Sequence, residues 1–265
     1  MSYKKILAGS ALVFSFGLLV STADASHSWG TYHWARTANP LTLKLGDNVS
    51  SAWDPYLAVA SSDWSASEVL DTTVVAGAAR RNCQPTKGRV EVCSKSYGYN
   101  GWLGLAQIWI SGSHITQGAV KMNDSYFNTP TYNNPNERQH VMCQEIGHAF
   151  GLNHQSEDGS SQDTCMDYFS NTGANAGSIL STHPNQHDYD QLVTIYTHLD
   201  SSNTAFSSAL GGVNGKPTAV GHDVDLSDPS AWGQAVREDA RGNNAVYVRD
   251  LGNGEKVFTF VTWAE

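Results

Sequence analysis

Residues Gln144 to His154 read Gln-Glu-Ile-Gly-His-Ala-Phe-Gly-Leu-Asn-His. On a helix, positions 144 and 148 lie one turn apart on the same face. Glu145 flanks that face, close enough to reach a water on a metal held there. Gly151 can take a positive φ and end the helix, so that His154 approaches the same ion from outside. Two imidazoles beside a carboxylate are the makings of a hydrolytic metal centre. The ion polarises a carbonyl and acidifies water, and the carboxylate shuttles the proton. Chance would supply Glu, His, Gly and His at four fixed offsets in roughly one chain in a thousand. A second element follows at Cys165-Met166-Asp167-Tyr168.

Together the two segments resemble the metzincin metallopeptidases of matrixin and astacin type. Their signature is H-E-x-x-H-x-x-G-x-x-H followed by a turn containing Met. The resemblance implies Glu145 as general base, His148 and His154 as metal ligands, and Met166 beneath the metal. It gives Tyr168 the place of a Tyr that touches the metal or the transition state in some metzincins. It further implies one catalytic zinc ion and a protein or peptide substrate lying antiparallel to an edge strand, with Ile115–Asn123 as that strand. The likeness covers roughly residues 30 to 200 and ends with a helix starting near Pro184.

One position departs from the signature. Gln144 stands where the family has its first His. A Gln can ligate through its side-chain oxygen, but a neutral amide is a weaker zinc ligand than imidazole. Some algal cell-wall-degrading metzincins are similar in carrying Gln here. Another divalent metal therefore stays open, as does a catalytically silent, metzincin-like extracellular binding module. His140, one turn before Gln144, reads as a packing or surface residue, with ligation as its rival. His183 and His187 beside Pro184 read as part of a helix start. The loop from Glu157 to Asp163 reads as solvated, because it lacks the spaced acidic pattern of a calcium loop.

The elements that must position these residues form an α+β pattern. Leu41–Leu45 alternates as a strand does, and Asp54-Pro55 opens a helix from Trp53 to about Val69. Thr72–Ala76, Gly88–Cys93, Leu103–Ile110 and Ile115–Met122 read as further strands. Asn134-Pro135-Asn136-Glu137 is a helix start with a capping Asn, and that helix should run to Phe150. Residues 201–215 are rich in Ser, Asn and Gly and read as a linker. Residues 216–265 should form a small β appendage, with strands at Ala245–Val248 and Lys256–Trp263.

The chain has 265 residues, 16 Lys and Arg against 25 Asp and Glu, and a formal charge of −9. An acidic balance excludes a nucleic-acid binder that relies on a broad basic surface. Charged residues are 15% of the chain, which is common among exported proteins. Residues 1–25 fit a secretory signal peptide, with Lys4 and Lys5 ahead of an apolar stretch and Ala23-Asp24-Ala25 as a cleavage site. The mature domain is expected to begin at once thereafter, leaving any latency to the C-terminal segment.

Cys83, Cys93, Cys143 and Cys165 favour two disulfides in an exported chain, and three connectivities are open. Cys143 and Cys165 each immediately precede a residue of the site. Their pairing is expected to tie the helix to the Met turn, with Cys83–Cys93 closing a local loop. The overall reading is a secreted, extracellular or periplasmic, zinc metalloendopeptidase. It is expected to be a monomer with no nucleic-acid partner and no membrane attachment after signal removal.

Overall fold

Short strands of alternating apolar residues, each ended by Gly, Asn or Asp, set the framework of the molecule. The computed structural model describes residues 27–78, 81–205 and 226–264. The expected signal peptide and all but the first residues of the expected linker lie outside them. In chain order the main elements are β1 (His33–Trp34), β2 (Leu41–Asn48), α1 (Asp54–Trp64), β3 (Leu70–Ala76) and β4 (Val90–Lys95). They continue as β5 (Trp102–Ser111), β6 (His114–Asn123), α2 (Asp124–Phe127), α3 (Pro135–His148) and α4 (Gln186–Ile195). The C-terminal segment supplies β7 (Gln234–Glu238), β8 (Asn244–Gly252) and β9 (Glu255–Trp263). This is a mixed α+β structure.

All the strands join one mixed sheet in the order β3-β2-β4-β6-β5-β9-β8-β7, with β1 beside the start of β6. Strands β3, β2, β4 and β6 run parallel, whereas β5, β9, β8 and β7 follow in antiparallel pairs. Leu41, Leu43 and Leu45 of β2 turn into the core, where Trp53 at the head of α1, Leu57 and Trp64 within it, and Val141, Met142 and Ile146 of α3 meet them. The sheet and helices thus enclose one main apolar core.

Helix α1 is shorter than its periodicity suggests. It ends at Trp64 because Ser65 turns its hydroxyl back onto the Ser61 carbonyl and takes up the backbone N–H of Thr72. Helix α3 begins as its sequence dictates: Asn134 accepts the backbone N–H of Glu137 at 2.8 Å, and Pro135 occupies the first turn. At its other end the freed carbonyls find indole donors. Trp29 Nε1 reaches His148 O at 3.1 Å and Trp34 Nε1 reaches Ala149 O at 2.8 Å.

The expected edge strand is corrected. Ile115–Asn123 falls in β6, which lies inside the sheet between β4 and β5. The strand flanking the parallel block is β5, and its outer side is taken by β9. Strands β5 and β6 are two apolar runs joined by a tight turn at Gly112. Which of them faces inward is decided by distant partners, not by their own composition. Among the described residues no helix is long and apolar enough to cross a membrane.

Candidate active site

Helix α3, the turn behind it and the Cys165–Tyr168 turn bring the expected residues together. After His148 the chain leaves the helix through Ala149 and Phe150, and Gly151 takes φ +107°, a conformation that only glycine adopts without strain. A side chain there would also meet the Tyr32 carbonyl at 2.8 Å. The reversal lets Gln155 and Ser156 pair with Met166 and Tyr168, which sets His154 against the second turn. The Tyr168 ring lies edge-on to His154 at 4.4 Å.

Met166 is fully buried under α3. A methyl group on Gly147 would come within 2.5 Å of its sulfur and 2.7 Å of the Trp64 ring, so only a glycine lets helix and turn close this far. The Cys143–Cys165 disulfide fastens the same two segments, and Cys83–Cys93 closes the loop before β4.

The two histidines meet through their Nε2 atoms at 3.0 Å. His148 Nδ1 lies 2.9 Å from the Leu152 carbonyl, which can only accept, so that nitrogen carries the proton. His154 Nδ1 faces the Glu157 carboxylate at 3.2 Å and donates likewise. Burial pushes the His154 imidazole down to about 3, and it also holds His148 well below the usual histidine range. Neither ring therefore takes a second proton at neutral pH, and two lone pairs point at each other. A divalent cation resolves that clash. Two nitrogens sharing a tetrahedral zinc at about 2.05 Å stand about 3.3 Å apart. The pair fits such an ion, and each Nδ1 contact is the partner that a ligating imidazole needs on its other nitrogen.

Gln144 and Glu145 complete the face. Gln144 Nε2 donates to the Asp167 carbonyl at 2.7 Å, which turns its oxygen to the other side. That oxygen accepts from the Thr262 hydroxyl at 2.6 Å, and Glu145 Oε1 lies 2.6 Å from the same hydroxyl. One hydroxyl proton cannot serve two acceptors. Burial pushes the Glu145 carboxyl up to about 8, with the Thr262 bond offsetting part of the rise. The Thr262 hydroxyl is thus shared between the Gln144 amide oxygen and the Glu145 carboxyl. Glu145 Oε2 is buried without a hydrogen-bond partner.

The C-terminal segment covers this face. Phe260 of β9 stacks on His148 at 4.4 Å with the rings 17° apart. Tyr168 donates its hydroxyl to the Val261 carbonyl at 2.7 Å, and Arg237 of β7 holds Glu157, the partner of His154, at 2.9 Å. A small cleft beside the site is lined by Glu137, His140, Gln144, Tyr168, Thr262 and Trp263. His140 is buried and lies against the Asp167 carbonyl at 3.1 Å, bracing the Met turn from the same side as Gln144. His183 and His187 do not share a site: the first pairs with Asp63 and the second stacks on His27. The sequence does not mark Thr262 and Phe260, because nothing in a β-strand's pattern names the surface it will lie on.

No family model matches the chain, and no curated protein matches it. Among solved structures it is similar to high choriolytic enzyme 1, a hatching enzyme zinc-protease from the medaka fish Oryzias latipes. That likeness has 12% identity, 62% of this chain and 94% of the other covered, and a TM-score of 0.34. It is similar to myroilysin at 12% identity, with 65% and 83% covered and a TM-score of 0.33. Scores of this size assign no activity to the chain.

Proposed function

We propose that the chain is an exported zinc-dependent endopeptidase whose cleft is held shut by its own C-terminal strand. The observation that carries this reading is the facing pair of Nε2 lone pairs on His148 and His154, 3.0 Å apart. Both Nδ1 protons are already donated elsewhere, so a cation is the missing partner. His148 and His154 would hold the ion, with Gln144 Oε1 as a third donor once Thr262 withdraws. Zinc, when bound, supplies a Lewis acid that polarises a peptide carbonyl and acidifies water. Glu145 receives a proton at its partnerless Oε2 and returns it to the leaving amine. The two disulfides support an oxidising, exported setting.

Strand β9 runs antiparallel along β5, with Thr262 opposite Gly104 and Phe260 opposite Ala106. An extended substrate adding to the same sheet edge would use the same backbone groups. Substrate and β9 therefore compete for one position. Withdrawal of β9 also frees the Tyr168 hydroxyl from Val261, leaving it as a donor toward bound peptide.

The covered face favours a second reading, a binding module that kept the scaffold without turnover. Zinc content after dialysis and hydrolysis of an unstructured protein, with and without chelator, separate the two. The peptidase reading expects chelator-sensitive hydrolysis that grows when β9 is weakened, and zinc lost in His148→Ala/His154→Ala. Zinc-loaded protein that cleaves nothing even with β9 weakened would establish the silent module.

A further inference from the structure

A second group of metal-ligating side chains lies outside the site just described. His33 ends the N-terminal segment in β1, His114 opens β6, and His198 and Asp200 follow α4. The β1–β6 register sets His33 beside His114, and the His33 ring lies 4.8 Å from that of His198. All three imidazoles turn Nε2 toward the Asp200 carboxylate: His114 at 3.2 Å, His33 at 3.4 Å and His198 at 3.5 Å. The ligand atoms of His33, His198 and Asp200 lie within 4.8 Å of one another.

These distances are long for charge-assisted N–H···O bonds, which run about 2.7–2.9 Å. They bracket the separation of about 3.3 Å expected between co-ligands of a tetrahedral ion with bonds near 2.05 Å. The outer contacts agree. His33 Nδ1 donates to the Thr31 carbonyl at 2.8 Å, which fixes the ring with Nε2 aimed at the carboxylate. Asp200 accepts the Arg36 backbone N–H at Oδ2, 3.0 Å away, which turns Oδ1 toward the imidazoles. The His33 and Asp200 side chains are buried, whereas that of His114 is part-exposed and that of His198 exposed.

We propose that His33, His198 and Asp200 form a second zinc site, with His114 beside the carboxylate. Its ligand set is two imidazoles and one carboxylate, and His114 Nε2, 3.2 Å from Asp200 Oδ1, braces that carboxylate. The ion would clamp the N-terminal strand to the segment after α4, two regions that no disulfide joins.

The test is zinc stoichiometry on the full chain after dialysis at about pH 7.5, together with the thermal midpoint with and without added zinc. The variants are His114→Ala/His198→Ala, which alters no buried side chain, and His148→Ala/His154→Ala. Two ions in wild type and one in each variant are expected. The His114→Ala/His198→Ala chain should hold zinc at the second site at least about tenfold more weakly, and its midpoint should respond less to zinc. One ion in wild type that is lost only in His148→Ala/His154→Ala overturns the second site and leaves the peptidase reading standing. One ion lost only in His114→Ala/His198→Ala supports the second site and removes the peptidase reading. Wild-type zinc content and midpoint response in the His114→Ala/His198→Ala chain overturn the proposal outright.

Discussion

Thr262→Val should release a latent activity. Valine keeps the shape of threonine and the strand pairing of β9, but replaces the hydroxyl that joins Gln144 to Glu145. Gln144 Oε1 then loses its 2.6 Å donor, and Glu145 loses its only side-chain partner. Both groups are buried beneath β9. Leaving a buried polar group unsatisfied costs about 1–3 kcal/mol. Once β9 lifts away, water reaches both groups and the penalty vanishes. The substitution therefore weakens only the closed state, by about 2 kcal/mol. At about 1.4 kcal/mol per factor of ten, the population with β9 displaced rises about 30-fold.

If closure is fast relative to cleavage, hydrolysis follows that population and rises by the same factor. The assay is cleavage of a fluorogenic unstructured peptide by the full chain, alongside amide hydrogen exchange of residues 257–263. Both should change together. In Thr262→Val/Glu145→Gln the exchange should stay fast while cleavage is lost. Faster exchange in Thr262→Val without any chelator-sensitive cleavage would refute the idea that β9 guards a competent site. Unchanged exchange would refute the argument about the hydroxyl.

Other outcomes follow from the same geometry. Glu145→Gln removes the proton carrier but no proposed ligand, so zinc should stay bound while turnover in the opened chain falls by about 10² or more. Gln144→His should raise zinc retention in dialysis, because an imidazole binds zinc more firmly than an amide oxygen. Replacing Cys143 and Cys165 by Ala opens a loop with a sequence separation of 22 and should lower unfolding stability by about 3 kcal/mol in denaturant titration. The Glu91 carboxyl is held below its ordinary range: burial opposes its charge, but hydrogen bonds from Asn48, the Ala78 backbone and Arg89 outweigh it. Its stabilising share is thus present above the unfolded-state value and disappears as pH falls through the folded one. Glu91→Gln should flatten the decline of the thermal midpoint in acid, and an unaltered slope would count against that assignment.

What the sequence makes legible here is what lies close along the chain. Residues 144–154 and 165–168 span a single helix, one reversal and one turn, and each step has a local cause. The helix periodicity places Gln144 over His148, Gly151 permits the reversal, and a buried Met166 needs the bare Gly147 opposite it. The cover over the site was not legible, for a physical reason. Alternation in Lys256–Trp263 reveals that one face is apolar, but Phe260 and Thr262 share a face whether they meet a helix, a sheet or another chain. The same blindness exchanged β5 for β6 as the substrate edge, since both runs are apolar and only the long-range pairing of β9 with β5 distinguishes them. The cluster at Asp200 is the extreme case. His33, His114 and His198 lie far apart along the chain, and no spacing rule links them. They converge because β1 adds beside the first residues of β6 and because the chain leaving α4 returns to that corner. A metal site assembled this way depends on the sheet forming first. A site built on one helix and its turn carries its ligands with it, and that difference explains why one left a motif in the sequence and the other did not.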